Sequence, residues 1–476
     1  MFALEHGYEV IGEVRGFPGH FMLRKLGHDG EAESRHLTFA LMDDLRVVWA
    51  EQQFGKQRVK RSGQGQENVD DKKSIPEELL KLWEEEETLD KPEMPKTRDE
   101  KFNDELWDHQ WYLHDTRYLT DDLPDISLHV ESVWSEGISG SGVRVVVIDD
   151  GIDYTHPDLA PNFSGEISYD FNGDDTDISP RDVTNSHGTR CAGEVAMVAD
   201  NKLCGVGVAF NSTIGGIRML DGKISDTIEG MALSFALDKV DIFSSSWGPT
   251  DDGATVEGPG KLASEALAKG VTEGRDGKGV VYVWASGNGG SHDDDCNCDG
   301  YTSSIYTLSG TFQYQLDKDR TGWELFISQE TESNTSSEKD NLFIKFSFQI
   351  FNSITVSSAS QHGQATWYGE SCPSTLTSTY SSGAYTDQKI ATTGRTDALI
   401  VRNNDPSLLM NVTYLTLSRA SVSRCWRRLH SQPHRDLGSS APGCWHPRPG
   451  AGGRPRPHLE RCPAPCGQVI QPCPGV

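Results

Sequence analysis

Val146-Val147-Ile148-Asp149-Asp150-Gly151 is the stretch on which the fold turns. The apolar run from Val143 to Ile148 shows no in-out alternation, so it reads as a strand buried on both faces, the habit of a parallel sheet covered by helices. A second run of this kind, Val280 to Trp284, follows a helical stretch at Gly260 to Gly270. From Phe102 to Tyr306 buried strands alternate with helices, which predicts an α/β domain on a doubly wound parallel sheet.

The first of these strands ends on two carboxylates. Downstream stand His187-Gly188-Thr189-Arg190-Cys191-Ala192-Gly193 and Ala285-Ser286-Gly287-Asn288-Gly289. Asp and then His is the beginning of a serine-hydrolase triad, in which the carboxylate fixes the imidazole tautomer and the imidazole takes the proton of a serine hydroxyl. Asp149 and His187 fit the first two roles. No Gly-Thr-Ser-Ala follows them, and without a nucleophile nothing attacks a carbonyl carbon.

A chain of 476 residues, 36% hydrophobic and 24% charged, holds enough apolar material for two or three domains. Its net charge of -27 disfavours nucleic acid or an anionic membrane as partner and suits a basic ligand, although an acidic surface also keeps a secreted chain soluble. No apolar run is long enough to span a bilayer. Met1 to Gly7 lacks the basic start and apolar core of a signal peptide, and a leader encoded upstream is expected. Asparagines 162, 211, 334 and 411 head glycosylation sequons, which lean toward secretion. Cys296-Asn297-Cys298 is too tight for a zinc knuckle, so disulfides or free thiols are expected, with Cys296 and Cys372 as disulfide candidates.

Residues 1–61 alternate in β fashion at Tyr8 to Val14 and end in Arg58-Val59-Lys60-Arg61 before Ser62. Residues 62–101, rich in Glu and Lys with Pro76, Pro92 and Pro95, read as an acidic linker. The main domain occupies 102–393, interrupted by a polar insertion at about 308–353. Residues 394–476 lose this order, and from Arg419 onward they turn basic and rich in Pro and Cys, the look of a frame-shifted or disordered tail.

Taken with Gln110-Trp111-Tyr112-Leu113-His114-Asp115-Thr116-Arg117, Arg218-Met219-Leu220-Asp221-Gly222, Ser246-Trp247-Gly248-Pro249, Trp284 to Gly290 and Ser381 to Gln388, these motifs resemble the proprotein convertases, the kexin/furin branch of the subtilisin-like proteases. The resemblance covers roughly half the chain, Asp104 to Tyr306 and Ile354 to Thr393, plus a propeptide-like N-terminus. It implies a subtilisin-like fold preceded by a small α+β propeptide domain. The implied activity is a calcium-dependent, prohormone-processing serine endopeptidase of the secretory pathway, cleaving precursors after paired basic residues.

It further implies Asp149 as orienting carboxylate, His187 as general base and Asn288 as oxyanion-hole amide. Asp251 and Asp299 correspond to the acids of the S1 pocket, Asp150 to an S2 acid, and Glu229, Glu257 and Tyr301 to the S4 wall. Thr184 stands where some members place a second S2 acid. One Ca²⁺ site would use Asp104, Asp158, Val198, Asn201, Leu203 and Gly205, a second Asp251, Asp294 and Glu370. A third would use Asp170, Asp175 and Asp177, whose spacing equally suits an acidic turn. Arg58, Lys60 and Arg61 before Ser62 fit self-cleavage of an inhibitory propeptide.

The departures lie at the end of the match. After Ile390-Ala391-Thr392-Thr393, where the family continues to its nucleophile, this chain reads Gly394-Arg395-Thr396-Asp397, and no P domain is recognisable. The sequence therefore predicts an inactive chain of a convertase locus. The alternative is a noncatalytic binder of convertases or basic peptides.

Overall fold

The computed structural model describes residues 2–27, 35–61, 101–115, 127–182, 184–303, 353–372, 375–383, 387–388, 390–394 and 400–403. Ser62, the expected linker to residue 100, the insertion up to residue 352 and the tail beyond residue 403 lie outside the described residues.

The N-terminal segment forms a small α+β unit. A single turn α1 (Phe2–Glu5), an antiparallel hairpin of β1 (Tyr8–Glu13) and β2 (Phe21–Lys25), and α2 (Arg35–Met42) lead to a short β3 (Val59–Lys60). The main domain then runs α3 (Val130–Ser135), β4 (Arg144–Asp149), β5 (Tyr169–Asp170), α4 (His187–Ala196) and β6 (Thr213–Arg218). It continues through α5 (Asp226–Leu233), β7 (Ile242–Ser245), β8 (Trp247–Gly248), α6 (Lys261–Gly277) and β9 (Val281–Ala285). Beyond residue 352 come β10 (Ser353–Ala359), β11 (Thr375–Tyr380), β12 (Ile390–Thr393) and β13 (Ile400–Asn403).

Seven strands make one sheet in the order β11-β10-β9-β7-β4-β6-β5. Every pairing in it is parallel. β4 explains the unbroken apolar run: Val145 and Val147 face one core with Ala192 and Val195 of α4, while Val146 and Ile148 face another with Leu233 of α5 and Leu262 and Ala266 of α6. Both faces are buried, which favours apolar residues at every position of the run. Ser353, expected at the end of the insertion, is already the first residue of β10 and pairs with Tyr282 of β9. Residues 400–403, expected in the tail, return antiparallel along β12.

The N-terminal unit sits on the α5–α6 side. Val14 and Phe17 join the core beneath those helices, the Lys261 ammonium lies 4.1 Å over the Trp49 ring, and Gln53 accepts the Thr227 amide at 3.1 Å. Two sequon asparagines serve the fold: Asn162 donates its amide protons to the Ala196 and Phe210 carbonyls, and Asn211 donates to Ser139. No helix among the described residues is long and apolar enough to cross a membrane.

Candidate active site

The carboxyl end of β4 and the start of α4 build a dyad. Asp149 Oδ2 lies 2.7 Å from His187 Nδ1, both residues being buried. Asp149 Oδ1 accepts the Asp150 amide at 2.7 Å, which fixes the carboxylate plane. Asp150 accepts the amides of His187 (3.2 Å) and Gly188 (2.8 Å), so it holds the first turn of α4, whose leading N–H groups have no intrahelical partner. Burial, then the neighbouring Asp149 charge, raises the Asp150 pKa. Cys191 Sγ stands 3.9 Å from both imidazole nitrogens.

Asn288 follows β9 through Gly287, whose φ of 127° only glycine adopts readily and where a Cβ would collide with the Glu370 carboxylate. Its backbone N–H donates to Asp251 at 2.9 Å, while its side-chain Nδ2 and Oδ1 are buried without a partner among the described residues. A buried, unengaged amide donor is a costly arrangement unless something arrives to accept from it. β12 runs beside α4, Thr392 and Thr393 donating to the Arg190 and Thr189 carbonyls. No serine stands among the described residues after Thr393.

A strand of the chain itself lies across this site. β3 pairs antiparallel with β8, Val59 opposite Gly248 and Lys60 opposite Trp247, and Arg61 N–H donates to the Ser246 carbonyl at 2.8 Å. Arg61 is fully enclosed: its guanidinium donates to Asp299 and to the Ala285 carbonyl, with Asp251 at 3.7 Å. A Cβ on Gly248 would strike that guanidinium, so the pocket mouth requires glycine. Burial alone would lower the Arg61 pKa, but the charges of Asp299, Asp251 and Glu370 outweigh it and leave the pKa raised.

Lys60 donates to Asp150 (2.8 Å) and to Asn185 Oδ1 (2.7 Å). Arg58 donates to Glu229 (2.6 Å) and Glu257 (2.9 Å), with its guanidinium carbon 5.5 Å from the centroid of the Tyr301 ring, which stacks on Trp284. Lys56 reaches the same Glu229 at 3.1 Å. The structure thus brings Asp150, Glu229, Asp251, Glu257, Asp299 and Tyr301 onto one groove, each against a basic side chain of residues 56–61.

The candidate metal ligands divide. Asp158 accepts from Asn201 Nδ2 (2.6 Å) and the Val198 amide (3.2 Å), and Asp104 accepts the Asp200 (2.8 Å) and Asn201 (3.3 Å) amides. Leu203 N–H donates to Asn201 Oδ1, and Gly205 packs on the Gln110 amide. Asp158 Oδ2 is buried without a partner among the described residues, and burial pushes the Asp158 pKa up to about 8. Asp251, Asp294 and Glu370 converge with ligand oxygens within 4.8 Å of one another, and burial raises Glu370 to about 8. Converging buried carboxylates short of positive charge fit a hard cation such as Ca²⁺. The third cluster differs: Asp170 is met by Arg218 (2.7 Å) and Arg181 (3.0 Å), Asp175 by Arg181 (3.0 Å), and Asp177 accepts the Ser179 amide (3.1 Å). Two arginines thus offset part of the charge of these three carboxylates, and Arg218 is shared with Asp221.

A model of the subtilase family matches residues 140–425, more than half of the chain, and a model of the peptidase S8 pro-domain matches residues 2–61. The chain is a subtilase. Similar proteins include the human "Proprotein convertase subtilisin/kexin type 6", 39% identical over 400 residues, and mouse furin, 37% identical over 394 residues, each alignment covering 82% of this chain. The chain spans 33% and 39% of their respective lengths. A serine protease of Aeromonas sobria aligns with a TM-score of 0.47 at 19% identity, over 67% of this chain and 55% of that one.

Three features of the subtilase site escaped the sequence reading. Asn185 supplies the second acceptor for Lys60, whereas Thr184 turns its hydroxyl to Asp182. Lys56 shares Glu229 with Arg58, and the Ala285 carbonyl helps to line the Arg61 pocket. An amide, a lysine in an unpatterned stretch and a backbone carbonyl carry no distinctive sequence signal. Cys296 and Cys372 are joined in a disulfide, and Cys191, Cys204 and Cys298 form none among the described residues.

Proposed function

We propose that this subtilase is a chain of the prohormone-processing type, a calcium-dependent serine endopeptidase recognising paired basic residues in secreted precursors, and that as written it does not cleave. The observation that carries the reading is Arg58-Val59-Lys60-Arg61 lying antiparallel on β8 with Arg58, Lys60 and Arg61 each on its own acids. That alternation gives the groove a reason to prefer Arg-X-Lys-Arg: a buried guanidinium needs a carboxylate, and a neutral side chain there would leave the carboxylate buried and unpaired.

The dyad and Asn288 supply the remaining steps. With its Nδ1 proton held by Asp149, His187 presents Nε2 as the base for a nucleophile's proton, and Asn288 Nδ2 is a donor for an oxyanion. Ca²⁺, where bound, supplies positive charge that keeps the carboxylates beneath the Arg61 pocket ionised. No Gly-Thr-Ser-Ala run follows Thr393, and loss of the nucleophilic serine costs about 2 × 10⁶ in kcat in subtilisin. The Arg61 carbonyl then has no attacker, and residues 1–61 remain as a standing occupant of the groove.

A second reading follows from that occupancy: a noncatalytic secretory-pathway binder of convertases or basic peptides. Incubation with a fluorogenic Arg-X-Lys-Arg peptide separates the possibilities. Turnover contradicts the inactive reading, binding without turnover supports the second, and neither binding nor turnover leaves the self-occupied groove.

A further inference from the structure

Glu194 lies on α4 about two turns beyond His187 and is 1% exposed. Nothing in the chemistry above uses it. It faces the Tyr112 and Thr392 hydroxyls, and no charged group among the described residues balances it.

Counting protons around Tyr112 decides its state. The Gln110 side-chain oxygen accepts the Val206 amide at 2.7 Å, which fixes the orientation of the side-chain amide. Gln110 Nε2 therefore gives its two protons to the Val206 carbonyl (3.0 Å) and to Tyr112 Oη (3.1 Å). Tyr112 Oη stands 2.6 Å from the Ala391 carbonyl, which can only accept, so the single hydroxyl proton lies there. The remaining neighbour of Tyr112 Oη is Glu194 Oε2 at 3.1 Å, and what faces it is a lone pair. Thr392 offers no proton either, since it donates to the Arg190 carbonyl at 3.0 Å.

We propose that Glu194 is carried as a neutral carboxylic acid whose proton completes this chain of hydrogen bonds, making it a positioning residue that ties the His187 helix to β12. An ionised Glu194 would oppose its charge to the Tyr112 lone pair with no cation near, in a site where an unbalanced buried charge costs most. Burial, the largest influence on the group, pushes its pKa well above the ordinary range, in the same direction. The link matters because β12 is the strand after which the family's nucleophile would follow, and Ala391 and Thr392 are its middle residues. A group with a raised folded-state pKa stabilises fully below its unfolded value, about 4.3, and loses that contribution as pH rises through its folded value.

The test compares the wild-type chain with Glu194→Gln, whose amide can donate to Tyr112 in place of the acid. Millimolar Ca²⁺ keeps the other buried carboxyls ionised. The infrared spectrum near neutral pH should contain a protonated-carboxyl band that E194Q removes. From about pH 5 to about pH 9 the thermal midpoint of the wild type should fall relative to that of E194Q, and amide exchange at residues 390–393 should accelerate beyond its intrinsic rise in the wild type alone. Parallel stability curves with no lost band would overturn the proposal. If E194Q does not fold, Tyr112→Phe decides: removing the acceptor should move the acid band to higher frequency, and an unchanged spectrum would refute a neutral Glu194.

Discussion

Arg61 and Asp299 meet inside a closed pocket although 238 positions separate them in the chain. Removing one member of a buried ion pair costs about 3–5 kcal/mol because the other charge is left unpaired. Asp299→Asn should therefore release the strand that fills the groove. Trypsin cleavage after Arg61 should accelerate by about 10²-fold or more, and Asp251→Asn, whose carboxylate is 3.7 Å from the guanidinium, should do so to a smaller extent.

The two acids that hold Arg58 should not be equivalent. Glu229 is fully buried and takes both Arg58 and Lys56, whereas the Glu257 side chain is 37% exposed. Glu229→Gln should weaken the occupied state by about 2–5 kcal/mol and Glu257→Gln by about 0–1 kcal/mol. Exchange protection of the residue 56–61 amides provides the comparison, and equal losses would contradict the burial argument.

Calcium and pH should be linked with a defined sign. Asp158 and Glu370 each have a pKa near 8 through burial when no cation is bound. A raised carboxyl pKa stabilises below its unfolded value and loses its contribution as pH rises through the folded one, so the metal-free chain should be more stable near pH 5 than near pH 8. Ca²⁺ takes the ionised form and should stabilise most at the higher pH, by about 2.7 kcal/mol at a hundred times its dissociation constant. Thermal midpoints with and without chelator at the two pH values check this, and a larger chelator effect at the lower pH would contradict it.

The Cys296–Cys372 bridge closes a separation of 76 residues, and it anchors the segment carrying Glu370 to the wall carrying Asp299. Cys296→Ser should cost about 2–5 kcal/mol. It should also loosen Arg61 along with the fold, so trypsin sensitivity after Arg61 and thermal midpoint should move together.

Much of this was legible in the sequence because the chemistry leaves few substitutes. A strand buried on both faces must be apolar throughout, which exposed β4, and an acid–base dyad must be Asp149 and His187 at the ends of their elements. The acids around Arg58, Lys60 and Arg61 were assigned from family positions, and the structure gathers them on one groove. Spacing left two readings of Asp170, Asp175 and Asp177 open, and it could not tell that Arg218, 48 positions from Asp170, turns toward that carboxylate. The Glu194 cluster was illegible for the same reason, since Gln110, Tyr112, Glu194 and Ala391 come from three separate stretches that only the fold joins.

The most direct test is the intact mass of the 476-residue chain after refolding with Ca²⁺ in the absence of any other protease, followed by assay with an Arg-X-Lys-Arg peptide. A single 52.4 kDa species that keeps residues 1–61 and releases no product is the expected result. A chain beginning at Ser62 that hydrolyses the peptide would contradict it, because a nucleophile would then have to act without the family's Gly-Thr-Ser-Ala motif.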